Sequence, residues 1–218
     1  MTFPFFEEQK KLLKDPDFFL TFEEFTEPIP NGIIEKEAKN IEHPHDAVSI
    51  ITSNFRKQKV DASFIWTVKT MEKYKIAGGC SEYGLLAAAL LRKAGIPTAL
   101  IETIHIDWLY TFPHDKPTDI YPTPRSMHTL NLVYWKGKWF LFDVRAAIFT
   151  RQITLTLLKW GLFPLIIHRG YSDIGVKNRK EKFKLLFRRV KQVLPLLLEE
   201  DLLFPKHQLY LMEDHDGI

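Results

Sequence analysis

The sequence has a single cysteine, a small charge imbalance and no long apolar run. One cysteine cannot form an internal disulfide, which excludes the disulfide frameworks of small secreted domains. The apolar stretches at 155–167 and 193–198 are interrupted by lysine, glycine or proline. Both are shorter than the ~20 residues needed to span a bilayer. We therefore expect no stable membrane insertion.

Charge and composition further limit the possible classes of protein. A net charge of +3 on 218 residues is too small for the concentrated basic surface of nucleic-acid-binding proteins, so we expect no nucleic-acid partner. The first residues lack a cationic segment followed by an apolar run, which favours a cytoplasmic protein without a signal peptide. A hydrophobic content of 45% is sufficient for one substantial core. We expect a single domain covering 1–218.

Helical patterns precede strand patterns along the chain, which favours an α+β fold. The predicted helices cover 7–14, 46–58, 64–75 and 80–93, and the predicted strands cover 98–106, 127–135 and 138–144. Asp46 is a candidate N-cap for the second of these helices. From about Ala146 onward the pattern predicts a mainly helical extension that ends in a basic amphipathic helix at 177–200.

The cysteine lies in a distinctive local setting. Cys80 follows Gly78 and Gly79 and opens a predicted helix rich in leucine and alanine. Unpaired N–H groups and the positive end of the helix dipole stabilise a thiolate at such a position. The two glycines permit backbone conformations and a close approach that suit a turn facing a substrate. Cys80 is therefore a candidate nucleophile, although isolated cysteines are more often small buried hydrophobes.

A thiol nucleophile also needs a base and a group that orients the base. If Lys136 and Gly137 form a two-residue turn, Trp135 pairs with Lys138, and His128 lies diagonally from Asp143 on one sheet face. That face also carries leucines and aromatic residues, so we expect it to be buried. A buried histidine satisfied by a neighbouring carboxylate is the simpler explanation for this pair alone. Together with Cys80, it predicts a Cys80–His128–Asp143 triad.

These residues carry a resemblance to a known family. The segment Gly79-Cys80-Ser81-Glu82-Tyr83 and the following Leu-Leu-Arg-Lys-Ala-Gly-Ile-Pro turn resemble the nucleophile helix of the transglutaminase-like superfamily. In that family a strand beginning with histidine follows, and then a strand with a tryptophan and an aspartate. His128 and the segment from Trp139 to Asp143 are similar to these two motifs.

The resemblance implies a fold and a chemistry. The expected fold is a papain/transglutaminase-like core, in which the nucleophile helix packs on an antiparallel β-sheet, with additional N- and C-terminal helices. The implied chemistry acts on amide or acyl groups of a peptide or protein substrate through a thioester on Cys80, with no cofactor and no metal. His128 would be the general base and Asp143 would orient it. The Cys80 backbone N–H would be one oxyanion donor.

Two alternatives remain open from the sequence. Arylamine N-acetyltransferases use the same triad and have a Gly-Gly-x-Cys-x-Glu segment, from which this chain differs by one residue of spacing at 78–82. A binding module of the same fold could retain these residues without turnover. In either case, the stretch 110–126 just before His128 is a candidate lid over the site.

Other polar residues carry weaker signals. The segment His43 to Asp46 contains metal-capable side chains, as does the segment His105 to Asp107, but neither shows the ligand set of a zinc site. Glu82 and Glu102 are expected on a solvated helix face and at a strand end. The basic residues of the last helix are expected on a solvated outer face, with an apolar stripe turned inward.

Overall fold

A computed structural model describes residues 6–58, 64–106 and 127–199. The candidate lid at 110–126 and Asp107 lie outside the described residues. The helices are α1 (Phe6–Leu12), α2 (Ile33–Glu37), α3 (Asp46–Asn54), α4 (Val68–Tyr74), α5 (Cys80–Lys93), α6 (Ile153–Lys159) and α7 (Arg179–Glu199). Short 3-10 turns cover Pro16–Leu20 and Ala38–Asn40. Among the described residues, no helix combines the length and apolarity required to cross a membrane.

The centre of the fold is a five-stranded antiparallel sheet. Its strands are β3 (Thr98–His105), β4 (Met127–Trp135), β5 (Lys138–Asp143), β6 (Ile148–Thr150) and β7 (Leu162–His168), in the order β6-β5-β4-β3-β7. Two short strands, β1 (Arg56–Lys57) and β2 (Ile76–Ala77), pair in parallel beside it. The predicted α+β architecture with an antiparallel sheet is confirmed.

The β4–β5 hairpin has the predicted register, with Trp135 opposite Lys138 and Asn131 opposite Phe142. Its two turn residues, Lys136 and Gly137, both have positive φ, at 49° and 78°. Positive φ at both central residues gives a type I′ turn, whose twist matches that of the flanking strands. The turn therefore fixes which residues of β4 and β5 lie side by side.

Helix α5 is almost entirely buried, with every residue from Ser81 to Arg92 buried. It begins and ends where the sequence predicts, and Gly95 follows it at a φ of 78° in the left-handed region that ends many helices. Gly84 lets the helix approach the sheet closely, since a Cβ there would lie 3.3 Å from Thr129 Cγ2. Asn131 Nδ2 donates to the Gly84 carbonyl at 3.0 Å across this contact.

Both faces of the sheet are covered. The face that carries Val133 and Phe142 packs in one core cluster with α5. The opposite face carries Leu130, Leu132 and Leu141, which are buried in a second cluster with Phe19 and residues around α6. The predicted burial of these leucines is confirmed, but α5 lies on the other side of the sheet from them.

The region after Ala146 contains α6 and the long helix α7, but it also contributes strands β6 and β7, which the sequence pattern does not predict. β7 joins the sheet beside β3, and all seven of its residues are buried. A strand buried on both faces has a continuous apolar sequence, which periodicity cannot distinguish from a buried helix. Its register shifts opposite Glu102 and Thr103, close to Pro164, which lacks the N–H that a regular ladder requires.

Two predicted helix boundaries also differ. α3 ends at Asn54, and Asp46 is its first residue rather than its cap; the Asp46 carboxylate accepts the N–H groups of Glu42 and His43. α4 begins at Val68, where the Thr67 side chain accepts the N–H of Thr70.

Candidate thiol site

Cys80 is the first residue of α5 and is partly exposed, whereas the next twelve residues are buried. Its position leaves the sulfur at the rim of the core, beside the free N–H groups of the first helical turn. The preceding Gly79 N–H donates to Glu82 Oε2 at 2.8 Å, which fixes the start of the helix. Arg179 Nη2 holds the other oxygen of Glu82 at 2.7 Å. The nucleophile candidate therefore lies on a rigid helix start.

Gly79 does not adopt the unusual backbone conformation expected from its sequence context. Its φ is −106°, and a Cβ there would lie 3.5 Å from Glu82 Oε2, an ordinary contact distance. Any L residue could adopt this backbone, so conformational freedom does not explain the glycine. The remaining property that distinguishes Gly79 is its small size, directly before the thiol.

His128 and Asp143 meet at the end of the hairpin. His128 Nε2 lies 2.7 Å from Asp143 Oδ2. The other carboxylate oxygen, Oδ1, accepts the N–H groups of Arg145 and Ala146 at 2.8 and 3.2 Å. Asp143 is buried, and these hydrogen bonds determine its orientation. Burial is the largest single influence and disfavours its charged form, but the hydrogen bond and charge of His128, together with the Arg145 and Ala146 N–H groups, outweigh it and lower the pKa of Asp143.

His128 is close enough to the Cys80 thiol to lower its pKa, through a hydrogen bond and through its charge. Because Nε2 of the ring faces Asp143, Nδ1 is the nitrogen left for the sulfur. His128 lies near the N-terminal end of β4. This end extends beyond Asn131 and Phe142, the last residue pair between β4 and β5. The backbone N–H of Thr129 also lowers the pKa of Cys80, so β4 supplies two of the groups that favour the thiolate.

The electrostatics of this cluster favour a charged pair. Burial opposes ionisation of the thiol, but the hydrogen bond from His128 and the positive charges of Lys182 and His128 lower the pKa of Cys80 to about 7. Burial also opposes the imidazolium, but the bonds to Asp143 and Cys80 raise the pKa of His128 to about 9. Thiolate and imidazolium therefore coexist between about pH 7 and 9.

A buried polar group directly behind Cys80 was missed by sequence reasoning. Lys182 Nζ lies 2.7 Å from Glu102 Oε2, and both side chains are buried. The ammonium also donates to Ser81 Oγ and Thr129 Oγ1. The expectation of a solvated helix face for Glu82 and a strand end for Glu102 is wrong: Glu82 is fully buried and paired with Arg179, and Glu102 is fully buried inside β3.

The sequence did contain a signal for Lys182. Buried residues repeat along α7 at Lys182, Leu186, Val190 and Val193, so the lysine lies on the apolar stripe rather than on the basic face. A charged residue on such a stripe requires a buried partner of opposite charge.

The histidines considered as metal ligands have structural contacts. The His43 ring packs edge-on against Trp135 and Phe149. His45 Nε2 lies 3.0 Å from the Ala147 carbonyl. Within 6–58, 64–106 and 127–199, no group of three or more His, Cys, Asp or Glu side chains is arranged to hold a metal ion.

A helix that begins at a cysteine and packs on an antiparallel sheet, with a histidine–aspartate pair on two neighbouring strands, is the architecture of papain-like proteins. The chain belongs to the transglutaminase-like superfamily, whose family model matches residues 29–144, more than half of its length.

No curated protein gives a significant match. Among solved structures, the chain resembles a crystal structure described as "a Putative Cysteine Protease from Cytophaga hutchinsonii", with 17% identity and a TM-score of 0.48. The match covers 74% of this chain and 50% of the other, so this chain spans about half of that protein's length.

Proposed function

We propose that this protein is a cysteine enzyme that acts on amide or acyl groups of a peptide or protein substrate, by hydrolysis or by acyl transfer. The observation that carries the proposal is that His128 links the other two residues: its Nε2 lies 2.7 Å from Asp143 Oδ2, and its hydrogen bond and charge lower the pKa of the Cys80 thiol. A thiolate, its base and an orienting group are the parts that covalent acyl chemistry requires.

In the first step the Cys80 thiolate attacks the substrate carbonyl carbon. The C–N bond of the amide breaks, and the imidazolium of His128 protonates the departing amine, which leaves a thioester on Cys80. In the second step neutral His128 takes a proton from water or from an acceptor amine, which attacks the thioester and releases the thiol. The Cys80 N–H, at the first position of α5, is the proposed oxyanion donor.

Asp143 serves this cycle by fixing the ring. A carboxylate at Nε2 keeps the proton on that nitrogen, so Nδ1 faces the sulfur as the exchanging atom. The same carboxylate stabilises the imidazolium that forms when the thiol ionises.

We also propose that residues 1–218 form one domain. Arg179 and Lys182 of the C-terminal helix bond Glu82 and Ser81 of α5, which supports a single unit.

The test is acylation of Cys80 by p-nitrophenyl acetate, followed by release of p-nitrophenol and by intact mass. The enzyme proposal expects a burst of p-nitrophenol and an acetyl adduct that is absent from Cys80→Ala. Faster loss of the adduct when methylamine is added, with formation of N-methylacetamide, indicates transfer; loss to water alone indicates hydrolysis. A folded wild-type protein that forms no adduct contradicts the proposal and favours a binding module.

The natural substrate class is tested separately. Dimethylcasein is incubated with the protein and a fluorescent primary amine; incorporation of the amine reports transfer to a protein, and release of peptides reports hydrolysis. Acetylation of Cys80 by acetyl-coenzyme A, without action on casein, would instead favour the arylamine N-acetyltransferase alternative.

A further inference from the structure

Lys182 and Glu102 form an ion pair inside the protein. Glu102 is completely buried, Lys182 is 4% exposed, and the two charged groups are 2.7 Å apart. Burying two charges costs several kcal/mol of desolvation each, and apolar residues of similar volume often give equal or better stability. Stability alone therefore does not explain why the protein buries this pair. The contacts of the pair suggest a different role.

The ammonium of Lys182 joins the two chain segments that carry the thiol and the imidazole. It donates to Ser81 Oγ at 2.8 Å and to Thr129 Oγ1 at 2.9 Å. Ser81 directly follows Cys80 on α5, and Thr129 directly follows His128 on β4. One buried cation thus bonds the neighbour of the candidate nucleophile and the neighbour of the candidate base.

The ammonium is itself fixed in place. Glu102 Oε2 holds it from β3, and Tyr171 OH accepts from it at 2.9 Å. Tyr171 OH in turn donates to Glu102 Oε1 at 2.6 Å. A lysine side chain has several flexible bonds, so partners on several sides are needed to define its position. These partners lie on β3, β4, α5 and the segment after β7.

We propose that Lys182 is a positioning residue for the thiol site, which holds the first turn of α5 against β4 so that Cys80 and His128 stay in contact. The proposal rests on the proposed function, because it takes Cys80 as the nucleophile. Ser81 and Thr129 transmit the effect, and Glu102 fixes the ammonium in turn.

The charge of Lys182 has a second effect on the same site. After burial and the hydrogen bond from His128, the positive charge of Lys182 is the next influence on the pKa of Cys80, and it lowers that pKa. The titratable groups around the ammonium are Glu102, Tyr171, the Cys80–His128 pair and His168, whose Nε2 lies 3.6 Å from Glu102 Oε1. Removing the ammonium should therefore raise the pKa of Cys80.

The experiment is alkylation of Cys80 by iodoacetamide between pH 5 and 10, followed by intact mass. Because the chain has a single cysteine, each adduct reports Cys80 alone. Lys182→Met should move the midpoint of the rate–pH curve up by about one unit, which means about tenfold less thiolate below the midpoint. Lys184→Met is the matched control: Lys184 is an exposed lysine of the same helix, and its loss should leave the curve unchanged.

Thr129→Val tests positioning apart from charge. Valine keeps the shape of threonine and the ammonium remains, but one of the two connecting hydroxyls is lost. The variant should acylate with p-nitrophenyl acetate several-fold more slowly on the high-pH plateau, with a smaller midpoint shift than Lys182→Met. Wild-type plateau rates in both Thr129→Val and Ser81→Ala would overturn the positioning role.

The outcomes separate this proposal from the proposed function. A wild-type midpoint near that of a free thiol would reject the proposed function itself. In another outcome, the wild-type midpoint is near 7, His128→Ala shifts it and Lys182→Met leaves it unchanged. That result would overturn only the role of Lys182. If Lys182→Met does not fold, as judged by circular dichroism, the double variant Glu102→Gln/Lys182→Met removes both buried charges and should show the same upward shift.

Discussion

His128 Nε2 and Asp143 Oδ2 are 2.7 Å apart, just beyond the point where the β4–β5 ladder ends at the pair Asn131–Phe142. The hairpin turn sets this relationship, because shifting the register by one residue would place the two side chains on opposite faces of the sheet. The other oxygen of Asp143 is bonded to the backbone of the following turn. The carboxylate therefore orients the imidazole from a fixed position.

Asp143→Asn should retain the fold and lose most acylation activity. The Asn oxygen can still accept the Arg145 and Ala146 N–H groups, but its amide N–H would face Nε2 and favour the wrong imidazole tautomer. We expect acylation by p-nitrophenyl acetate to fall by about two to four orders of magnitude, while the melting temperature changes little. Asp173→Asn, on the exposed surface, is the control. If Asp143→Asn were acylated as fast as wild type, Asp143 would have no role in acylation.

His128→Ala should abolish the enhanced reactivity of Cys80 more completely than Asp143→Asn, because both the base and its positive charge disappear. The wild-type alkylation curve should have its midpoint near pH 7, set by the lowered pKa of Cys80. The alanine variant should shift it toward about 8.5, the usual value for a free thiol.

The midpoint is a sharper measure of His128 than a rate at one pH. At pH 7 a thiol of pKa 7 is half ionised, against roughly 3% for one of pKa 8.5, but the less basic thiolate is also roughly fivefold less nucleophilic. The net gain in rate is then only about threefold. His43→Ala is the control, since His43 packs against Trp135 at the opposite end of β4. Superimposable curves for wild type and His128→Ala would show that His128 does not activate Cys80.

Arg92 is expected to stabilise the scaffold without tuning the thiol. This buried guanidinium donates to the carbonyl oxygens of Thr98 and Arg169 at the C-terminal end of α5. Arg92→Met would leave these acceptors buried and unpaired, so we expect a loss of about 2–5 kcal/mol in the free energy of unfolding by urea. The alkylation midpoint of the folded variant should stay that of wild type. Exposed Arg188→Met should cost almost nothing.

The parts of the site that the sequence predicts are those with local signals. The bounds of α5 follow from Gly79 and Gly95, and the hairpin register follows from the two-residue turn at Lys136 and Gly137. Once the register is set, the placement of His128 beside Asp143 follows from the two-residue period of a strand. The approach of Cys80 to β4 has no such local signal: it follows from combining the helix start with the hairpin pair, and the family resemblance supports it.

The parts that were missed depend on contacts between distant segments. Glu102 and Lys182 lie on separate elements, and neither residue alone indicates its partner. The sequence pattern does place each of them on a buried face. Glu102 alternates with Leu100 and Ile104 along β3, and Lys182 lies one helical turn from Leu186. β7 was missed for a related reason, since only its pairing with β3 distinguishes it from a buried helix.

The Glu102–Lys182 pair should also make stability depend on pH in acid. Burial is the largest single influence and disfavours the Glu102 carboxylate, but Lys182 and His168 together outweigh it and lower the pKa of Glu102 from its ordinary 4.5 to about 2. A carboxylate with a lowered folded-state pKa contributes stability above its unfolded pKa and loses it as the pH falls toward the folded value. The relevant window is therefore about pH 4.5 down to 2.

Urea unfolding measured from pH 2 to 7 checks this contribution. The double variant Glu102→Gln/Lys182→Met lacks both charges, so its free energy of unfolding should fall less steeply between pH 4.5 and 2 than that of wild type. The difference should total on the order of 3 kcal/mol across the window. Glu35→Gln is the control: Lys93 lowers the pKa of Glu35 in the same direction, but this pair lies at the surface where solvent screens the charges, so its slope should change much less than that of the double variant. If the double variant loses stability as steeply as wild type, Glu102 does not remain charged in the folded protein, and the Lys182 ammonium is not fixed by an ion pair.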